Sequence, residues 1–210
     1  IYELKTPMTS IIGYADTLYQ KKMSEDEVHS AAGVILNEGM RLEALSFKLL
    51  ELITLDKNDF RLEETRISEI IADCVETAHE AARKHNTEIV YSADEAWVWL
   101  EYDLFKTMLL NLIDNAVKYS PGKAVIRIHC RETADNGKVE ISVSDEGTGI
   151  AQEKQKLIFD KFYRVPTGNL HNVKGYGLGL YYVKTMIEKH GGTVCVKSEP
   201  GHGSTFTITL

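Results

Sequence analysis

Asp145–Ile150 reads DEGTGI, and the residues before it, Lys138–Ser144 (KVEISVS), alternate apolar and polar side chains as a half-buried strand does. A carboxylate at a strand end, followed by two glycines, sets an acceptor beside backbone that can approach a ligand closely. An aspartate there accepts from an exocyclic amine such as the one adenine carries. The same letters also serve as a plain turn, so the neighbouring segments have to decide.

Upstream lies NLIDN, Asn111–Asn115, inside a helix predicted over Asp103–Tyr119. Its two amides are four residues apart and share a face. Leu109, Leu110, Leu112 and Ile113 are expected to fill the buried side. A carboxamide oxygen is a neutral, hard ligand suited to Mg²⁺; two polar residues on a solvated helix face would look the same. Downstream lies KGYGLGL, Lys174–Leu180, with glycines at 175, 177 and 179 leading into a helix predicted over Gly177–His190. A glycine-rich loop feeding a helix N-terminus is a phosphate site, because unpaired N–H groups and the helix dipole face the anion. The spacing is neither a G-x-G-x-x-G fingerprint nor a Walker A loop. Between them is FDKFYR, Phe159–Arg164, whose two phenylalanines read as core. The polar stretch VPTGNLHNV, residues 165–173, reads as a lid, and Arg164 at its root is placed to reach a terminal phosphate.

The front of the chain has a different pattern. Leu4, Met8, Ile11, Ala15 and Leu18 step along one face of a helix, with Pro7 expected to kink it near its start. Ser24 followed by Glu27 fits a capping box. A second helix is predicted from Glu25 to Leu55. Val28, Ile35, Leu42 and Leu49 recur by sevens, with Ala31, Glu38, Leu45 and Leu52 three residues after each, an a/d seam. A two-helix hairpin cannot bury both apolar faces alone, and pairing two hairpins into a four-helix bundle solves that. Residues 1–55 therefore read as a homodimerisation module; the other reading is a hairpin folded back on its own chain. Leu55–Asp59 (LDKND) reads as the linker to residues 60–210. There the expected order is a short strand at Phe60–Arg66, a helix at Ser68–His85 with Ile71, Val75, Ala78 and Ala82 on one face, and strands at Thr87–Tyr91 and Trp97–Leu100. After the Asp103–Tyr119 helix come strands at Ala124–Glu132 and Lys138–Ser144, joined through the turn Asp135–Gly137. The chain closes with strands at Thr193–Lys197 and Ser204–Leu210 around PGHG. This order gives an α/β sandwich: one mixed sheet covered by helices on one side.

At 210 residues, with 43% apolar and 26% charged residues, the chain has the composition of a globular protein of one large or two small domains. Its net charge of −7 argues against a nucleic-acid binder that works by neutralising phosphates. Cys74, Cys130 and Cys195 have no metal-ligand spacing and read as buried or half-buried thiols in a reducing compartment. No apolar run approaches the ~18 residues of a membrane span. The chain opens inside a helical motif with no cap before it. It is therefore read as a fragment whose upstream part is missing, with room there for a membrane anchor.

Paired Asn, then DxGxG, then FxxF, then GxGxG, closing with GHGSTF, resembles in that order the N, G1, F and G2 boxes of the sensor histidine kinases. Theirs is the Bergerat-type ATP-binding fold, shared with gyrase and MutL ATPases. YELKTPMTSI at the front resembles the H box, so the likeness covers the whole chain. The resemblance implies ATP and Mg²⁺ as cofactors, with Asn115 as metal ligand and Asn111, Lys118 and Tyr119 against the nucleotide. Asp145 would take the adenine amine, with Gly147, Gly149 and Ile150 shaping that pocket. Gly175, Tyr176, Gly177, Leu178 and Gly179 would close over the triphosphate, and Thr205 would sit near the adenine. Glu3 would be the acid/base beside the phosphoacceptor, and Thr6 matches the E-x-x-T element used to dephosphorylate a response regulator. A response-regulator receiver domain is the implied partner. Hydrolases of the gyrase type carry a glutamate where this chain has Asn111, which speaks against that activity.

The departure falls on the acceptor, where the family has histidine and this chain has Tyr2. An imidazole is nucleophilic near neutral pH, with a pKa of ~6.5, whereas a phenol, at ~10, needs a base to attack. A phosphotyrosine is also a stable ester that passes its phosphoryl on poorly. Tyr2 is thus a substitution that blocks autophosphorylation, or the mark of an ATP-binding chain that signals by another route, as a dimeric regulator or a phosphatase through Thr6. The third reading, Tyr2 as a true acceptor, has the chemistry against it.

Overall fold

The computed structural model describes residues 2–54, 60–133, 137–165 and 177–210, and the chain divides into two compact units, Ile1–Asp59 and Phe60–Leu210. The linker stretch Leu55–Asp59 and most of the expected lid, from residue 166 on, lie outside the described residues. So do Gly175 and Tyr176.

The first unit is a helical hairpin, α1 (Tyr2–Gln20) packed on α2 (Glu25–Thr54). α1 runs through Pro7 without interruption. Pro7 has no N–H to give the carbonyl of Glu3, but lies early enough that most of the helix ladder is untouched. The turn between the helices is fixed by a reciprocal cap. The N–H and hydroxyl of Ser24 donate to Glu27 Oε2 at 2.9 and 2.8 Å, and the Glu27 N–H returns to Ser24 Oγ at 3.4 Å. These donors hold the Glu27 carboxyl below its usual range. Of the heptad positions, Ala31 and Leu45 are buried, Ile35, Leu42 and Leu49 are half-buried, and Val28 is exposed. Met8 and Ile12 on α1 and Leu36 and Met40 on α2 are also exposed.

The second unit is an α/β sandwich. Its sheet has the order β2 (Glu88–Ala93), β4 (Val125–Glu132), β5 (Val139–Asp145), β7 (Gly203–Thr209), β6 (Thr193–Glu199). β2 and β4 are parallel and the other neighbours antiparallel. Helices α3 (Ile67–Lys84), α4 (Tyr102–Tyr119) and α5 (Gly179–Lys189) cover one face. The strands show it by alternation: Ile126, Ile128 and Cys130 are buried, while Arg127, His129 and Arg131 between them are exposed. Ile141, Val143, Phe206 and Ile208 continue the inner face and meet Phe105, Met108, Leu109, Leu112 and Ile113 of α4 in the core. Asp73 on α3 accepts from Tyr102 Oη (2.8 Å) and Lys106 Nζ (2.7 Å), fixing α4 alongside.

Three expectations are corrected. The sheet is not the only one: β1 (Glu63–Arg66) and β3 (Trp97–Leu100) pair antiparallel as a separate two-stranded ribbon, leaving Trp97 and Trp99 exposed. On α3 the expected face is present, with Ile71, Ala78 and Ala82 buried and Val75 half-buried, and Ile67, Ile70 and Cys74 widen the buried row. Leu110 on α4, expected on the buried side, is half-buried. Cys74 and Cys130 are buried, with thiols pushed up to about 12 by that burial, but Cys195 is exposed because β6 turns it to the open face of the sheet.

Candidate functional site

α4 is the spine of the site. Glu101 caps its start, accepting the Leu104 N–H at 2.7 Å. Its buried leucine and isoleucine row turns Asn111 and Asn115 to a half-buried flank. Asn111 Nδ2 donates to the Thr107 carbonyl at 2.8 Å, which leaves Oδ1 facing the head of α5. A Cβ added to Gly179 would stand 3.2 Å from that oxygen and 3.9 Å from Asn115 Nδ2. The side chain of Asn115 makes no hydrogen bond among the described residues. α5 begins at Gly179, close to the two amides, and its N-cap residue Leu178 supplies no side-chain cap.

The base of the glycine loop is built by close approach. Gly177 adopts φ +67°, and a Cβ there would fall 2.7 Å from backbone atoms of Phe162 and Tyr163. The Phe162 N–H donates to the Gly177 carbonyl at 2.9 Å. The segment after Phe162 and the start of the α5 approach are thus tied together. Phe159 is buried, edge-on to Phe206 at 6.3 Å, as a core residue. Leu178 is buried and Arg164 is exposed.

The far end of α4 holds the aspartate loop. The Thr148 N–H donates to the Tyr119 carbonyl at 3.2 Å, and a Cβ on Gly147 would lie 2.6 Å from that carbonyl and from Asp145 Oδ1. Asp145 ends β5 on the inner face. Its Oδ1 accepts from the N–H groups of Gly147 (2.8 Å) and Ser204 (3.2 Å), and Oδ2 accepts from none among the described residues. Burial pushes the carboxyl above the usual carboxylate range, and the two donors pull the other way. Glu146 turns outward to Arg127 at 2.8 Å, a pairing that lowers its pKa. Gly149, at φ +67°, passes so close to β6 that a Cβ would sit 1.9 Å from the Glu199 carbonyl. The Ile150 N–H donates to Ser198 Oγ at 2.7 Å, and the Gly201 N–H to the Thr148 carbonyl at 2.8 Å. An acceptor with a free lone pair therefore stands in a fixed loop, one helix away from a helix head that faces two amides.

Two expected residues are placed elsewhere. Thr205 is on the opposite face of the sheet from Asp145: it pairs with Ser144, hydroxyl to hydroxyl at 2.9 Å, and strand alternation puts Ser204 on the inner face instead. Ser204 was legible from the buried Phe206 and Ile208, which share its parity. Lys118 pairs with Asp114 one turn back, on an exposed flank of α4. Ser198 and Gln155 carry no motif signal; Gln155 Nε2 donates to the carbonyls of Ile150 (3.0 Å) and Ser198 (2.8 Å), bracing the aspartate loop against the β6–β7 turn. At the front, Thr6 is exposed one helical turn beyond Tyr2 on α1.

Residues 100–210 match the family described as histidine kinase-, DNA gyrase B-, and HSP90-like ATPase. The chain is 35% identical over its whole length to the sensor protein RprX of Bacteroides fragilis, and spans 41% of that relative's length. Among solved structures, the mycobacterial sensor histidine kinase MprB is 27% identical with a TM-score of 0.61, over 71% of this chain and 96% of that one. The histidine kinase ThkA, solved in complex with the response regulator protein TrrA, shares the fold over all of this chain and 58% of its own, with a TM-score of 0.76 at 22% identity. Among the described residues no helix is long and apolar enough to cross a membrane. The chain belongs to the histidine kinase-, DNA gyrase B- and HSP90-like ATPase family and carries the catalytic core of a sensor histidine kinase.

Proposed function

We propose that this chain binds ATP with Mg²⁺ in its second unit, and that Tyr2 blocks autophosphorylation in its first. The observation that carries the nucleotide reading is the arrangement along α4. Asp145, with Oδ2 unspent, stands at its C-terminal end, and the uncapped head of α5 stands against Asn111 and Asn115. Adenine is held at the first place by its amine, and the triphosphate at the second by N–H groups and the glycine loop. Among the described residues no cluster of His, Cys, Asp or Glu could hold a metal by itself. That suits Mg²⁺ taken from one neutral carboxamide, Asn115, with phosphate oxygens and water completing the shell. Tyr119, Gly147, Gly149, Ile150, Gly175, Tyr176, Gly177 and Leu178 are assigned to the walls of the same site, and Arg164 to the terminal phosphate.

Residues 1–55 supply the dimer: the half-buried heptad positions and the exposed Met8, Ile12, Leu36 and Met40 are faces that a second hairpin would cover. A response-regulator receiver domain is the proposed partner, as TrrA is for ThkA. The parent protein is proposed to be a membrane-bound sensor with this part in the cytoplasm. A second reading is favoured by Tyr2 and the exposed Thr6: an ATP-binding regulator, or a phosphatase of its response regulator. Calorimetric titration of Mg²⁺-ATP tests the first claim. Micromolar binding that Asn115→Ala abolishes is expected, and no binding at millimolar ATP would refute it. Loss of regulator dephosphorylation in Thr6→Ala would favour the second reading.

A further inference from the structure

His190 lies far from the nucleotide groups, at the C-terminal end of α5, and its ring is fully committed. Nδ1 is 2.7 Å from the Met186 carbonyl, to which it donates, and Nε2 accepts the Glu101 N–H at 3.0 Å. This sets the neutral tautomer with the proton on Nδ1. Glu101 is the residue that caps α4, so the imidazole ties the first turn of α4 to the last turn of α5. Phe60 and Phe105 close over it edge-on, at 4.7 and 5.6 Å. Phe60 is the first residue of the second unit.

The two helices run antiparallel. From Glu101 to Asn111 and Asn115 is ten to fourteen residues, roughly 15–21 Å of helix, and from His190 back to Gly179 is about 16 Å. The tie at one end is thus matched by the Asn111–Gly179 contact at the other. We propose that His190 is a positioning residue for nucleotide binding: by clamping α4 to α5 at their far ends it holds the amides of α4 against the head of α5. This rests on the reading of that head as a phosphate site. Protonation would break the clamp, because an imidazolium cannot accept from the Glu101 N–H. The charged group facing the ring is the Glu101 carboxylate, while Met186, Phe60 and Phe105 present a carbonyl and apolar surface. Burial holds the ring's pKa below the ordinary histidine value, so the neutral form persists at pH 7.

The test compares the chain with His190→Phe, which keeps a ring but neither bond, and His190→Gln, which keeps a donor and an acceptor. Mg²⁺-ATP affinity is measured from pH 8 to 5.5, and amide exchange over residues 178–183 is measured without nucleotide. The expected results are a five- to tenfold loss of affinity at pH 8 in His190→Phe and partial recovery in His190→Gln. The unmodified chain should lose affinity with acid more steeply than His190→Phe, and exchange at the α5 head should be faster in His190→Phe. Unchanged affinity, or an identical pH profile in the two, overturns the proposal. If no form binds ATP, the phosphate-site reading fails, and the exchange measurement still decides the clamp: unaltered protection at 178–183 overturns it. If His190→Phe does not fold, His190→Gln and the pH profile of the unmodified chain carry the same comparison.

Discussion

Asp145 and Ser204 are register partners across β5 and β7, and the Ser204 N–H donates to Asp145 Oδ1 at 3.2 Å while Oδ2 accepts from no described residue. The sheet itself fixes the carboxylate: one oxygen is spent on backbone, and the other is the one the proposed nucleotide site gives to the adenine amine. Asp145→Ala removes both, and ATP affinity is expected to fall at least thirtyfold, about 2 kcal/mol, the scale of a charge-assisted hydrogen bond. Calorimetric titration checks it.

Thr205 faces away from that pocket and spends its hydroxyl on Ser144. Thr205→Val is expected to cost about 1 kcal/mol of stability through that lost bond, and to leave ATP affinity within twofold. Parallel urea unfolding and ATP titration separate the two effects.

Gly149 has no room for a side chain. A Cβ would lie 1.9 Å from the Glu199 carbonyl, at a backbone angle, φ +67°, that L-residues avoid. Gly149→Ala is expected to cost more than the ~1–2 kcal/mol of backbone strain alone, and to displace the loop that carries Asp145. Loss of ATP binding with a lowered melting temperature is the expected pair of readings.

His190 is half-buried as the neutral ring, its pKa lowered mainly by that burial. The unfolded chain therefore takes up the proton first as pH falls. The stabilisation is fully present above about 6.5, the unperturbed histidine value, and is lost progressively below it. Urea midpoints at pH 7.5 and 5.5 should fall further in the unmodified chain than in His190→Phe.

Much of this was written locally. The sevenfold spacing of Val28, Ile35, Leu42 and Leu49 marked α2, the Ser24–Glu27 pair marked the turn, and Asn111–Asn115 marked α4, because each follows from period or from a cap. What the sequence hid depends on contacts between distant segments. The parity of Phe206 and Ile208 puts Ser204 rather than its neighbour Thr205 on the inner face, but only pairing with β5 brings it opposite Asp145. The β1–β3 ribbon depends on Glu63–Arg66 finding Trp97–Leu100 across α3. The bonds of His190 to Glu101 and of Ser198 to Ile150 span 89 and 48 residues and leave no local pattern.

The central claim, an intact nucleotide site in the second unit and a missing acceptor in the first, is tested most directly by incubating the chain with γ-labelled ATP and Mg²⁺ in parallel with Tyr2→His. The account predicts an acid-labile, alkali-stable label on the histidine variant alone. An acid-stable label on the unmodified chain, or no label on either form while both bind ATP, would contradict it.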